Sequence, residues 1–293
     1  MSLTVLESGL LTTVQDRGRP GYAHLGVPRA GALDRGAADL ANRLVGNPLE
    51  AAVLETTLTG VTFRVERALT MAVAGADAEV WVGPRRVAFA EAVSLSAHAE
   101  VRVGPARSGV RSYISVAGGI AVRPILGSRS TDTLAYVGPP MVTAGTVLPV
   151  APATGQPVEI PATRTPRHET EGEPVRLRVH RGPRHDWFGP DLLAHLAESA
   201  YVVTSDSNRV GLRLDEMVPG GSGFGSAQHP ERELASEGIV LGAVQIPPDG
   251  RPVVFLRDHP VTGGYPVVAV VREADLDRCA QLRAGSRIRF VPA

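Results

Sequence analysis

Val253-Val254-Phe255-Leu256-Arg257-Asp258-His259-Pro260-Val261-Thr262-Gly263-Gly264-Tyr265-Pro266-Val267-Val268-Ala269-Val270-Val271 sets two short, unbroken apolar runs on either side of one polar loop. Runs this short, rich in β-branched residues and without a polar face, fit strands buried on both sides. Leu69-Thr70-Met71-Ala72-Val73-Ala74 reads the same way, while Val61–Val65, Arg176–His180 and Arg287–Val291 alternate polar and apolar residues as half-buried strands do. Gly and Pro punctuate these runs at short intervals. The pattern predicts barrels or sandwiches, not a doubly wound parallel sheet.

Three helices stand against this background. The first starts at Asp34 as N-cap, carries Ala37, Leu40, Ala41 and Leu44 on one face, and stops at Gly46-Asn47-Pro48. A second is expected over about 191–199, with Leu192, Leu193 and Leu196 inward, and a third over about 273–282. Each is expected to plug or cap a barrel. Pro, Thr, Ala and Glu crowd the chain after Val150 and erase its apolar periodicity. The organisation expected is a first domain over 1–150, a linker over 151–174 and a second domain over 175–293. Both halves hold a capping helix, a Glu-bearing strand (Glu55, Glu237) and a following apolar strand, a hint of internal duplication.

The 293 residues carry zero formal net charge and a pI near 7.1, so there is no electrostatic footprint for nucleic acid or an anionic membrane. All 30 basic residues are Arg and no Lys occurs. That excludes a Walker-type phosphate loop, a Schiff-base lysine and a biotinylated lysine from this chain. The single Cys279 cannot form an internal disulfide and, spaced helically with Leu276 and Arg283, reads as a small buried residue. With no signal segment and no long apolar run, a cytoplasmic protein is expected. The eight His residues show no metal-ligand spacing, so no metal is predicted.

Two polar constellations remain. Near the N-terminus, Gln15, Asp16, Arg17 and Arg19 are set among Gly and Pro, which stiffen a loop that ends at Asp34. Asp34 can cap its helix and also face a ligand there, and Asn42 lies on that helix off the Leu40–Leu44 stripe. The second is the 257–265 loop: Asp258 and His259 can hold or move a proton, and Thr262, Gly263, Gly264 and Tyr265 let a ligand approach backbone N–H groups. Gln15 and Gln245 are amides in apolar surroundings. Each is either a hydrogen-bonded core residue or a reader of an N–C=O group. Arg19, Arg123 and Arg209 suit carboxylate or phosphate. Gly220–Gly225 lacks the Lys-Ser/Thr of a phosphate loop and reads as an insertion or lid.

Thr13-Val14-Gln15-Asp16-Arg17-Gly18-Arg19-Pro20-Gly21-Tyr22, Gly26-Val27-Pro28-Arg29-Ala30-Gly31-Ala32-Leu33-Asp34, Val116-Ala117-Gly118-Gly119-Ile120, Leu126-Gly127-Ser128-Arg129-Ser130-Thr131, Ser236-Glu237-Gly238, Gly242–Gly250 and Thr262-Gly263-Gly264-Tyr265-Pro266 follow one another in the order of a known family. The chain resembles the family of the 5-oxoprolinase C component, allophanate hydrolase subunit 2 and the KipI antagonist, also described as biotin-dependent carboxyltransferase. The resemblance implies a mainly β protein of two tandem cyclophilin-like β-barrels with a few short capping helices, without implying prolyl isomerase activity.

It also implies a KipI-like partner (the 5-oxoprolinase B component or allophanate hydrolase subunit 1), joined in one branch by the 5-oxoprolinase A component, in a complex that opens 5-oxoproline to glutamate at the expense of ATP. A chain with no biotinyl Lys or carboxylase domain favours that branch. The alternatives are the carboxyltransferase half of a urea carboxylase, with biotin on a separate chain, and a non-enzymatic regulator that neutralises a KipI-like inhibitor. On the favoured reading ATP acts at the level of the complex and the chain is inactive without partners. Asp258 and His259 transfer protons, Gln15, Gln245 and Asn42 orient the amide, and Arg19 and Arg209 meet negative charge. Asp258→Asn is then expected to spare the fold. At His259-Pro260 the commoner family string has Arg-Gln.

Overall fold

A computed structural model describes residues 1–158, 173–188, 192–217 and 234–293. The expected linker over 151–174 and the Gly220–Gly225 run lie wholly or largely outside the described residues. The chain forms two compact units, one from Met1–Pro20 and Ala30–His168, the other from Gly21–Arg29 and Glu169–Ala293.

The first unit is one sheet of β1 (Ser2–Glu7), β2 (Leu11–Gln15), β3 (Val53–Thr57), β4 (Val61–Val65), β5 (Leu69–Val82), β6 (Arg85–Val87), β7 (Val93–Leu95), β8 (Glu100–Val116) and β9 (Val147–Pro149). Its order is β2-β3-β8-β4-β1-β9, with β5 also on β8. Sequence periodicity predicts only Leu69–Ala74 of β5, yet β5 and β8 run for 14 and 17 residues. Their register shifts between Gly75 and Asp77, Asp77 and Ala78, and Ala78 and Val80. Each shift leaves an unpaired residue that bends the strand and hides the period-two pattern. The bends let β8 pair with β3 at one end and β4 at the other, so the sheet curls without closing into a ring. Leu3, Val5, Val14, Leu54, Phe63, Met71, Val101 and Ile114 pack inside the curl.

The helix α1 (Arg35–Leu44) covers the outer face, where Ala37, Ala38 and Ala41 pack on Val53, Ala74 and Tyr113. Small residues let the helix backbone come close to the sheet. Asp34 is the N-cap, accepting the Ala37 N–H at 2.8 Å.

The second unit contains β10 (Val175–Arg181), α2 (Leu192–Glu198), β11 (Tyr201–Val203), β12 (Gly211–Glu216), β13 (Glu237–Gly238), β14 (Ala243–Gln245), β15 (Val253–Phe255), β16 (Thr262–Gly263), β17 (Val267–Val271), α3 (Glu273–Cys279) and β18 (Arg287–Pro292). Seven strands close a barrel in the order β10-β17-β14-β15-β12-β11-β18, sealed by the parallel pair of β10 and β18. The two apolar runs of the opening stretch, β15 and β17, are both buried, and β14 lies between them: Val244 pairs with Val254 on one side and Ala269 on the other. β13 and β16 form a separate two-stranded ribbon.

α1 keeps its expected extent, and α3 is shorter than its apolar pattern suggests. α2 begins where the described residues resume, so the expected start at Asp191 lies outside them. α3 ends at Cys279 with Ala280 as C-cap, not at 282. Asp275 ties α3 to β10 by accepting the Arg178 backbone N–H at 2.9 Å and its guanidinium at 2.9 and 2.7 Å. Burial raises the Asp275 pKa, but these hydrogen bonds outweigh it and hold the carboxyl below its ordinary value. Cys279 is fully buried, and desolvation pushes its thiol up to about 12, leaving no thiolate for chemistry.

Candidate functional site

In the first unit, β2, β3 and β8 lie side by side so that Thr13 faces Glu55 and Glu55 faces Tyr113. Directly opposed residues share a face, and the next set, Val14, Leu54 and Ile114, takes the core side. The outer face thus carries a polar row under the 30–34 segment and α1. Glu55 Oε2 accepts the Leu33 N–H at 3.0 Å, and the Tyr113 hydroxyl oxygen accepts the Asp34 N–H at 2.8 Å. Arg111 Nε lies 3.7 Å from Glu55 Oε1, both side chains buried. Burial first, then the charges of Glu55 and Asp34, raise the Tyr113 pKa well above its ordinary value, so its phenol stays neutral.

Gln15 is fully buried on the same face; its Nε2 donates to Thr13 Oγ1 at 3.0 Å and to the Thr131 carbonyl at 2.9 Å. Its Oε1 has no partner, nor does the buried Thr131 Oγ1. An isolated buried acceptor costs about 1–3 kcal/mol, so Gln15 Oε1 calls for a donor, from a ligand or from water.

Asp16 is committed elsewhere. Its carboxylate accepts from Ser128 Oγ and Ser130 Oγ at 2.6 Å, Arg129 N at 2.6 Å and Gly18 N at 2.8 Å, clamping the 128–130 turn to the N-terminal loop. Arg19, also buried, donates Nη2 to the Ser130 carbonyl. Asn42 lies off the apolar stripe yet is buried, because it braces α1 against the sheet: Nδ2 donates to Ala51 O at 2.9 Å and Oδ1 accepts from Ser115 Oγ at 2.7 Å. Sequence reading passed over Arg111 and Tyr113, named Thr131 only within a family motif, and noted Glu55 only as a strand marker. The available signal was a charged residue in the otherwise buried Val53-Leu54-Glu55-Thr56 run.

In the second unit, Arg209 donates Nε to Asp258 Oδ2 and Nη2 to Asp258 Oδ1, both at 2.9 Å, with side chains 1% and 0% exposed. The Asp258 N–H also bonds Arg209 O at 3.1 Å. His259 is buried against Phe255, and its Nδ1 is 2.8 Å from Pro260 O. A carbonyl only accepts, so Nδ1 carries a hydrogen in this contact. Gln245 Nε2 donates to Tyr265 O at 3.0 Å, and a Cβ on Gly263 would come within 3.1 Å of that nitrogen. The absence of a side chain at Gly263 therefore lets β16 lie over Gln245.

Thr262, Gly264 and Tyr265 are exposed on this ribbon, and its β13 strand carries Glu237, paired with Arg184. The Arg184 hydrogen bonds lower the Glu237 pKa. A groove of about 970 Å³ opens beside His259, with His180, Arg29 and Arg272 as cationic or titratable walls, Glu273 and Asp277 opposing them, and Val240 and Leu276 among its apolar lining. Among the described residues no group of three or more His, Cys, Asp or Glu could hold a metal ion, and no helix is long and apolar enough to cross a membrane.

The chain is 33% identical to the C component of 5-oxoprolinase from Escherichia coli K12, over 99% of this chain and 90% of that protein. The Kluyveromyces lactis urea amidolyase structure superposes with a TM-score of 0.88 at 31% identity, over 99% of this chain and 18% of that one. TTHA0988 superposes with a TM-score of 0.82 at 36% identity, and this chain spans about half of its length, 56%. The family model described as carboxyltransferase domain, subdomain A and B, matches residues 25–292. With a match spanning both units, the chain belongs to the carboxyltransferase subdomain A and B family.

Proposed function

We propose that this chain is one component of an ATP-dependent 5-oxoprolinase that opens 5-oxoproline to glutamate in the cytoplasm, together with a KipI-like subunit and a third chain like the 5-oxoprolinase A component. The observation that carries the reading is the extent of the likeness: 90% of a 5-oxoprolinase C component is spanned, against 18% of a urea amidolyase. Ring opening breaks the lactam C–N bond, places a water oxygen on the carbonyl carbon and gives the nitrogen a proton, while ATP becomes ADP and phosphate. ATP acts at the level of the complex, and no residue of this chain is assigned to it.

The two polar constellations take separate tasks. In the first unit, Gln15 Oε1 accepts an amide N–H. In the second, His259 holds or moves a proton at the groove wall. Asp258 and Arg209 satisfy each other's charge, so their task is to fix the 257–259 loop that carries His259, not to transfer a proton themselves. Gln245, with Thr262, Gly263, Gly264 and Tyr265 above it, supplies amide and backbone donors at the ribbon.

The close superposition on urea amidolyase favours a second reading, carboxyl transfer to a urea-like amide. Since these 293 residues hold no Lys, the biotin in that case is carried outside them. Reconstitution separates the two readings. Mixing this chain with its KipI-like partner and the A-component homologue is expected to give glutamate and ADP only when 5-oxoproline is present, and omitting any chain should stop turnover. Oxoproline-dependent ATP hydrolysis by this chain alone, or undiminished turnover without it, overturns the proposal. Urea-dependent loss of carboxyl groups from biotin in place of oxoproline turnover favours the second reading.

A further inference from the structure

In the second unit, the turn after β10 is seated on a bulge in β17. Along the β14–β17 ladder Val244 pairs with Ala269 but Gln245 pairs with Val267, so Val268 is an extra residue on β17. Such a bulge bends its strand and re-aims the side chains beside it. The 182–184 turn follows the bend: the Gly182 N–H donates to Val268 O at 2.9 Å and the Arg184 N–H to Val267 O at 3.0 Å. A Cβ on Gly182 would lie 2.5 Å from Val267 O, so a glycine is needed for the turn to come this close. Arg184 thus hangs by its backbone from the residue paired with Gln245.

Its side chain reaches the same place from the other side. Arg184 Nε donates to Glu237 Oε2 at 3.1 Å and Nη2 donates to Oε1, a two-point contact between partly exposed groups. Glu237 pairs with Gly263 in the β13–β16 ribbon, and two residues further on Tyr265 O accepts from Gln245 Nε2 at 3.0 Å. The ribbon is a sheet of its own with two ladder pairs. Thr262, Gly264 and Tyr265 are exposed, and its apolar anchor is Ile239, packed with Ala243, Val253, Phe255 and Val267. A ribbon this short with so little apolar burial takes its position from its polar ties. The Arg184 hydrogen bonds hold the Glu237 carboxyl below its ordinary value, so this tie is charged at neutral pH. Gln245 is buried, and among the described residues the bond to Tyr265 O is the one that its Nε2 makes. That bond fixes the amide plane with one of the two Nε2 hydrogens, and the second is left for a ligand carbonyl.

We propose that Arg184 is a positioning residue: by clamping Glu237 it holds the ribbon, and with it Tyr265 O, where they orient the Gln245 amide toward the carbonyl of a lactam substrate. The inference rests on the reading of Gln245 as a group that meets 5-oxoproline. Arg184 acts through Gln245, and the bulge at Val268 and the bare Gly182 and Gly263 supply the close packing that makes its clamp effective.

The test is steady-state turnover of 5-oxoproline by the reconstituted complex, carrying this chain as wild type, Arg184→Gln, Glu237→Gln, Gln245→Leu and Arg184→Gln with Gln245→Leu, together with amide exchange and thermal unfolding of each free chain. The ion pair is partly exposed, so Arg184→Gln and Glu237→Gln should melt within about two degrees of wild type. The ribbon should loosen in both: the Ile239 N–H, bonded to Val261 O just beyond the ladder, is expected to exchange about fivefold faster or more. A misplaced substrate-binding group raises KM, whereas a smaller folded fraction lowers the apparent kcat and leaves KM unchanged. Each single variant of the clamp should therefore raise KM for 5-oxoproline about fivefold or more. Arg184→Gln should change the KM of Gln245→Leu by less than about twofold, since the clamp then has no amide to place. A wild-type KM in Arg184→Gln and Glu237→Gln, or an equal effect of Arg184→Gln with and without Gln245, overturns this role and leaves the proposed function standing. A wild-type complex that does not turn over 5-oxoproline overturns the proposed function and this role with it.

Discussion

Arg209 and Asp258 face each other in a two-point ion pair at 2.9 Å, with almost no exposure on either side chain, although they are 49 residues apart in sequence. Each is the other's answer to burial. A guanidinium or carboxylate withdrawn from water alone would cost several kcal/mol, and the fork geometry satisfies both carboxylate oxygens at once. The pair joins the turn before β12 to the loop after β15, next to His259.

Asp258→Asn is therefore expected to destabilise the chain by about 3–5 kcal/mol, because it breaks a two-point ion pair that is buried on both sides. This reverses the sequence-based expectation of an unchanged melting temperature. Arg209→Met with Asp258→Leu, which removes both charges, should recover a large part of that loss in a double-mutant cycle. Denaturant unfolding of the four proteins measures it. An unchanged midpoint in Asp258→Asn would return Asp258 to the list of groups free for chemistry.

Gln15 gives a prediction with the opposite logic, since its donor is used and its acceptor is not. Gln15→Glu keeps the shape but replaces the Nε2 donor with a second acceptor facing Thr13 Oγ1 and the Thr131 carbonyl. The introduced carboxyl would have its folded-state pKa raised by burial and by those acceptors. Its penalty, about 1–3 kcal/mol, is absent below the unfolded-state pKa and grows as pH rises above it. Stability curves of wild type and variant should therefore converge near pH 4 and separate toward pH 7. Parallel curves across that range would mean that the site tolerates a charge and is open to solvent.

How far the fold was legible follows from where its patterns are local. β4 and β17 coincide with their sequence ranges because alternation and unbroken apolarity are set by nearest neighbours. α1 was readable from Asp34 and the alanine-rich face. The length of β8 was not, because bulges reset its period, nor was the curl of the first sheet, which depends on β8 serving two partners.

Polar residues divide in the same way. Gln245 and Gly263 share a site because β14 and the ribbon are brought together by the 245–265 stretch. By contrast, Glu55, Arg111, Tyr113 and Thr131 are assembled across 76 residues of chain, and Asp16 finds its partners in a turn more than 100 residues away. Such pairings leave no mark within a sequence window. Residue chemistry can nominate Asp16 or Asp258 as active carboxylates, and only the fold reveals which partners they already have.

Asp275 provides a pH-dependent test of how the second barrel is held. Its carboxyl is held below its ordinary value by the Arg178 hydrogen bonds, against the opposing effect of burial. A depressed folded-state pKa means stability that is fully present above the unfolded value, near pH 4, and lost as pH falls through the folded value. The acid limb of wild-type stability should therefore steepen below about pH 4. Asp275→Asn keeps one oxygen to accept from Arg178 but gives up the charge, so it should be less stable at neutral pH and less sensitive to acid, the two curves approaching each other as pH drops. Because α3 packs this residue against β10, the loss should appear first as faster amide exchange in α3 and at the Arg178 N–H. Equal acid sensitivity in both proteins, with unchanged exchange in α3, would mean that Arg178 does not hold the Asp275 charge in solution and that the helix is fixed by its apolar side, through Leu276 and Cys279, alone.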